Sequence, residues 1–294
     1  AAAMSSPAAE KAYAMTARAN KLIAGGLHNC PDWEDVRELY FAAAAHFQSA
    51  DLHCEAGEAF SNAAAISRVY GSELEVATAA GYAVDSFKLA DPLKAVQLLD
   101  EIMAIHHDGG RPKLEAKAAK DIAAIYESLG ELQLALEHYR RATALFKQQE
   151  ITRNFFLQCL EKVARLSGAL GQYKAAIEVF EQLAEAAIRG TRVTERYASA
   201  MLCLLADAQG ERQAGTLAKA KVVFDRYQDY DEHLQKGVEH RLIRGIIDAF
   251  DKGTLAGFDA AHKAYAEYRG RDAWYEDMIA RIRQNLFEYL LPYM

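Results

Sequence analysis

One small residue followed four positions later by a large apolar one returns through this chain about every forty residues. Ala56 with Phe60, Ala95 with Leu99, Ala135 with Tyr139, Ala176 with Phe180, Ala220 with Phe224 and Ala261 with Tyr265 succeed one another at intervals of 39, 40, 41, 44 and 41. Residues four apart lie on the same helical face, one turn from each other. The small member lets a neighbouring helix come close and the large member fills the space between helices. Recurrence at this spacing predicts stacked helical hairpins rather than one globular core.

The register extends beyond the pairs. Leu132, Ala135, Leu136, Tyr139, Ala142, Thr143 and Phe146 form a helical stripe, and a shift of 41 residues lands on Tyr173, Ala176, Ile177, Phe180, Leu183, Ala184 and Ala187. Helix starts are written locally as well. Ser6-Pro7 and Asp91-Pro92 pair a cap with a first-turn proline, while Asp32 and Ser72 each precede an acidic residue three positions on. Gly71, Gly109-Gly110, Gly130, Gly171, Gly190, Gly210, Gly253 and Gly270 mark helix ends. No segment alternates as a strand does. The expectation is an all-α fold: a tetratricopeptide-like, right-handed superhelical array of about fourteen antiparallel helices of some eighteen residues. It forms a curved and twisted sheet of helices with a helical bundle at its C-terminal end.

Composition supports a single array over residues 1–294, with 232–294 as its C-terminal helical end. The chain has five prolines among 294 residues and no Pro-rich or Ser/Gly-rich linker, so no domain boundary is placed. Hydrophobic content of 51% with 26% charged residues suits a folded chain rather than a disordered one. No apolar run approaches the roughly twenty residues of a membrane-spanning helix. The first helix carries Glu10, Lys11 and Arg18 where a signal peptide needs apolar residues, so a cytoplasmic location is expected. Cys30, Cys54, Cys159 and Cys203 are scattered without Cys-x-x-Cys spacing and read as reduced thiols. A net charge of −7 argues against general nucleic-acid binding.

Catalytic chemistry finds no convergent group. Gly109-Gly110-Arg111-Pro112-Lys113 lacks the spacing of a phosphate loop, and its proline removes a backbone donor. His53-Cys54-Glu55 and His106-His107-Asp108 place metal-type ligands side by side in sequence, which points them apart on a helix. His233 and His240 are seven apart, each beside a glutamate, and read as surface or interfacial residues. No catalytic residue, metal site or cofactor site is assigned.

Several ordered blocks carry a resemblance. They are Asp91-Pro92-Leu93-Lys94-Ala95-Val96, Ile122-Ala123-Ala124-Ile125-Tyr126-Glu127, Ala135-Leu136-Glu137-His138-Tyr139, Cys159-Leu160-Glu161-Lys162-Val163-Ala164 and Gln172-Tyr173-Lys174-Ala175-Ala176-Ile177-Glu178. Together, at these intervals, the chain from about Trp33 to Arg283 resembles the soluble NSF attachment protein family, nearer its alpha and beta types than gamma. The resemblance implies an adaptor and not an enzyme. Such a protein lies along a four-helix SNARE bundle left after vesicle fusion and recruits the hexameric ATPase NSF, stimulating it through its C-terminal end. It implies no nucleotide or other cofactor.

Site residues follow from the same likeness. Lys113, Lys117 and Lys120 share a helical face, and Lys162 with Arg165 stand three apart on the corresponding helix of the next repeat. Lys117 and Lys162 match lysines with which the family contacts SNAREs, whereas Gln158 replaces a further one. The alternative is a solvated face balanced by Glu115, Asp121 and Glu161. For the ATPase, family acids align with Asp248 and Asp251, and a neighbouring acid is Lys252 here. The family's acidic tail is replaced by Phe287-Glu288-Tyr289-Leu290-Leu291-Pro292-Tyr293-Met294, in which Leu290 or Leu291 stands in for the family leucine or caps the last apolar face. The family's membrane-touching loop corresponds to residues 25–33, where Leu27 and Trp33 suit a weak lipid contact, or Trp33 packs beneath the following helix. A second functional class stays open: a generic tetratricopeptide-like scaffold gripping acidic peptides through Lys113, Lys117 and Lys120.

Overall fold

The computed structural model describes residues 6–26, 30–147, 152–187, 191–210, 213–270 and 272–291. These residues form fourteen α-helices and no strand. The chain divides into two compact units, residues 1–152 and 153–294.

The N-terminal unit holds α1 (Pro7–Ala24), α2 (Cys30–Ser49), α3 (His53–Tyr70), α4 (Glu73–Ala90), α5 (Pro92–Asp108), α6 (Pro112–Ser128) and α7 (Leu132–Lys147). Each packs against the next, as a ladder of hairpins requires. Ser6 and Asp91 accept the amides of Ala9 and Lys94 with proline at the start of each helix, and Ser72 with Glu75 forms a complete capping box. Asp32 does not cap. Its helix starts earlier, at Cys30, because a proline in the first turn has no amide to satisfy, and Asp32 falls inside that first turn. Ala56, Ala95 and Ala135 are buried with Phe60, Leu99 and Tyr139, so the recurring pairs form the core.

The C-terminal unit holds α8 (Arg153–Ala169), α9 (Tyr173–Ala186), α10 (Thr191–Ala206), α11 (Gln213–Tyr230), α12 (Val238–Lys252), α13 (Leu255–Arg269) and α14 (Ala273–Leu290). Here the ladder gives way to a bundle. Helix α10 packs against α9, α11, α12 and α14, and every residue from Tyr197 to Ala206 is buried. After a polar first part, the stretch from Tyr197 to Ala206 is apolar on nearly every side, and such a segment is stable only in an interior.

Helix α14 closes this unit by satisfying other helices' ends. Its Arg281 Nη2 donates to the carbonyl of Ala169 at 2.8 Å and its buried Asn285 Nδ2 to that of Ala206 at 3.0 Å. Those residues end α8 and α10, where carbonyls have no intrahelical partner. Trp274 Nε1 adds a bond to the Arg165 carbonyl at 2.8 Å.

Candidate partner-binding surfaces

Helix α6 carries the lysines because its other side is needed for packing. Ala116, Ala118, Ala119, Ile122 and Ala123 are buried, which leaves Lys113 and Lys117 exposed and Lys120 half-buried. Lys113 and Lys117 make no ion pair among the described residues. Glu115, two positions from each, is only 4% exposed. It accepts bonds from Arg141 of α7 at 2.9 Å and from His107 of α5 at 3.1 Å. Burial raises its carboxyl, but those two partners outweigh it and hold the group below the ordinary value. Glu115 therefore holds α6 against α5 and α7, and it does not offset the lysines as a solvated-face reading requires. The outward side of α6 is net positive.

In the C-terminal unit, Lys162 and Arg165 share the side of α8, both half-buried. Arg165 Nη1 bonds both carboxylate oxygens of Asp272, at 3.0 and 3.3 Å, and its Nε lies 3.5 Å from Glu161. The guanidinium also lies over the Trp274 ring, 5.5 Å from its centroid. Within this unit Arg165 joins α8 to α14. Asp272 stands 107 positions downstream, and no local signal in the sequence announces that pairing.

The acidic candidates meet the tail. Asp251 pairs with Lys221 of α11 at 2.7 Å, and Asp248 with Arg244 one turn earlier at 3.5 Å. Gly253 ends α12 in the left-handed conformation, φ 63°. A methyl on that glycine would stand 3.1 Å from Leu290 Cδ2, so the end of α14 rests against the turn two residues after Asp251. Leu290 packs on the apolar core, while Leu291 is 53% exposed. The four residues Asp248, Asp251, Leu290 and Leu291 thus belong to one end of this unit.

Trp33 stands in the first turns of α2 with 8% of its surface exposed and the Arg37 guanidinium 5.0 Å from its ring centroid. It is a packed helical residue, not a loop tip offered to lipid. Leu27, Pro292, Tyr293 and Met294 lie outside the described residues. No helix among the described residues is long and apolar enough to cross a membrane, and no three of their His, Cys, Asp or Glu side chains cluster as metal ligands would.

The family model for the soluble NSF attachment protein, SNAP, matches residues 7–287. The chain belongs to the SNAP family. It is 28% identical over 258 residues to the alpha-soluble NSF attachment protein of Mus musculus, covering 86% of this chain and 84% of that relative. The beta-soluble NSF attachment protein of Bos taurus is 27% identical over 259 residues, with the same two coverages, 86% and 84%. A Neurospora crassa relative called a probable vesicular-fusion protein sec17 homolog is 26% identical over 270 residues, covering 87% of each chain. The SNAP match contains the lysines of α6, Lys162, Arg165, Asp248 and Asp251, and it stops before Leu290 and Leu291.

Proposed function

We propose that this chain is an adaptor of SNARE disassembly, which grips an assembled SNARE four-helix bundle and recruits the ATPase NSF to it. The observation that carries the reading is the inward turn of Glu115, which leaves Lys113 and Lys117 exposed on one side of α6 with Asp121 as the acid that shares it. A rod of coiled helices that is acidic along its length is attracted to such a side. Each exposed charge pair contributes only about 0–1 kcal/mol, so the grip needs several charges, Lys120, Lys162 and Arg165 in addition to Lys113 and Lys117. In this reading the fourteen helices act as one array, and the protein is held at membranes peripherally, through the bundle, with at most a weak lipid contact of its own near Leu27. The end bearing Asp248, Asp251, Leu290 and Leu291 faces NSF. The names of the relatives, NSF attachment proteins and a vesicular-fusion protein, support NSF and fusion machinery as the partners.

Co-sedimentation with purified SNARE bundle and NSF tests the reading. A ternary particle that needs this chain is the expected result, and the doubly reversed variant Lys117→Glu with Lys162→Glu loses the bundle while keeping its helical circular dichroism. Capture of isolated acidic peptides without the assembled bundle refutes it in favour of a generic scaffold.

A further inference from the structure

The outward side of α4 runs in register with the lysine side of α6. Buried Val76, Ala80 and Val84 recur 39 positions later as buried Glu115, Ala119 and Ala123. The outward positions therefore correspond too: Leu74, Thr78 and Tyr82 stand on α4 where Lys113, Lys117 and Asp121 stand on α6. Both helices pack on α5. These outward positions thus carry Lys113 and Lys117 on α6, followed by Asp121, and apolar to aromatic residues on α4.

Tyr82 is the centre of the apolar part. Its ring stacks on Phe60 of α3, with centroids 5.4 Å apart, and meets the edge of Phe41 of α2 at 5.8 Å. Phe41 and Phe60 close the triangle at 5.4 Å. Tyr82 is nevertheless 50% exposed, and its hydroxyl makes no hydrogen bond among the described residues. Two packed rings hold half of an aromatic surface open to water. Such an aromatic loses little freedom when a partner covers it, and an ordered aromatic within a charged surround has the composition of a binding hot spot.

We propose that the Tyr82–Phe41 platform is an apolar anchor for the acidic helical partner that the lysines of α6 attract. An amphipathic helix sets a large apolar side chain on the Tyr82 ring while its carboxylates face Lys113 and Lys117. Charge complementarity with Lys113 and Lys117 selects this occupant, since a neutral helix gains nothing from those exposed lysines. The labour divides along known lines. The lysines govern encounter and its salt dependence, and the platform governs register and dissociation. The proposal rests on the adaptor reading and adds to it the residues that fix where the partner stops.

Affinity of the full chain for a purified SNARE four-helix bundle, measured at several salt concentrations, tests it. Tyr82→Ser is expected to weaken binding roughly tenfold, chiefly through faster dissociation and with the salt slope unchanged. Tyr82→Phe keeps parental affinity, which shows that the ring is what matters and guards against a folding artefact. Tyr82→Lys weakens binding despite the added positive charge, whereas a purely electrostatic grip tightens. Lys117→Glu weakens binding and flattens the salt slope. Parental affinity in Tyr82→Ser, or tighter binding in Tyr82→Lys, overturns the anchor while the Lys117→Glu result leaves the adaptor reading standing. A parent chain that does not bind the bundle removes both.

Discussion

Gly245 and Ala261 bring α12 and α13 so close that a methyl on the glycine would stand 2.5 Å from the alanine Cβ. Ala261 is the small member of the last recurring pair, with buried Tyr265 as its large partner. Repetition of a small residue in sequence is here a close helix crossing in space, with the facing helix contributing a glycine where even alanine is too large.

Gly245→Ala measures that crossing. Helix propensity alone favours the alanine by about 1 kcal/mol. Overpacking costs roughly 1–3 kcal/mol, and the Cβ of Ala261 has no flexible end to move aside, so the clash is expected to prevail. The melting temperature falls by several degrees. Adding Ala261→Gly restores most of the loss, and a double-mutant cycle reads the coupling.

Asp272 serves two helices at once. Its Oδ1 accepts the amides of Trp274 at 2.9 Å and Tyr275 at 3.3 Å, capping α14, while the carboxylate pairs with Arg165. Asp272→Asn keeps an N-cap and removes only the ion pair, which is partly solvated and worth little. Asp272→Ala loses both and is expected to cost about 1–2 kcal/mol in chemical denaturation. Equal losses in the two variants would show that the ion pair, not the cap, holds α14.

At the C-terminal end Lys221 already occupies Asp251. If that aspartate faces basic residues of NSF, Lys221 competes with them. Lys221→Ala is expected to raise affinity for NSF by up to about fivefold, the reach of an exposed pair, and to leave stability almost unchanged. Titration of NSF onto the immobilised chain reads the difference, and unchanged affinity removes Asp251 from the contact.

Glu115 predicts the acid limb of stability. Its folded carboxyl is held below the ordinary value by Arg141 and His107. A depressed carboxyl contributes stability that is present above its unfolded value of about 4.3 and is lost as pH falls through the lower folded value. Thermal melts from pH 7 to 3 should show the parent losing stability mainly below about pH 4, with a shallower decline in Glu115→Gln. At neutral pH that variant is expected to be about 1–3 kcal/mol less stable, because it weakens bonds made to a buried charge.

Much of the fold was legible because its signals are local. The capping box of Ser72 and Glu75 spans three residues, and the left-handed C-cap at Gly253 is a property of one. The shared exposed face of Lys113 and Lys117 is legible because their spacing alone sets it. Asp32 departs from the capping expectation for an equally local reason: the proline before it permits an earlier helix start. The fates of Glu115, Arg165, Asp251 and Tyr82 were not legible. Each is settled by a partner on another helix, respectively Arg141, Asp272, Lys221 and Phe60.

By itself the sequence determined which residues form helices, where those helices stop and which side of each is apolar, since these follow from dihedral preference, capping and a period of 3.6. Tertiary structure alone decided which charges remain available to a partner, because an ion pair or a buried carboxylate depends on distances between helices that no spacing along one helix encodes. It also decided that α14 returns to close α8 and α10, since which distant side chains reach the carbonyls at those two helix ends depends on how the helices pack and not on spacing along any one of them.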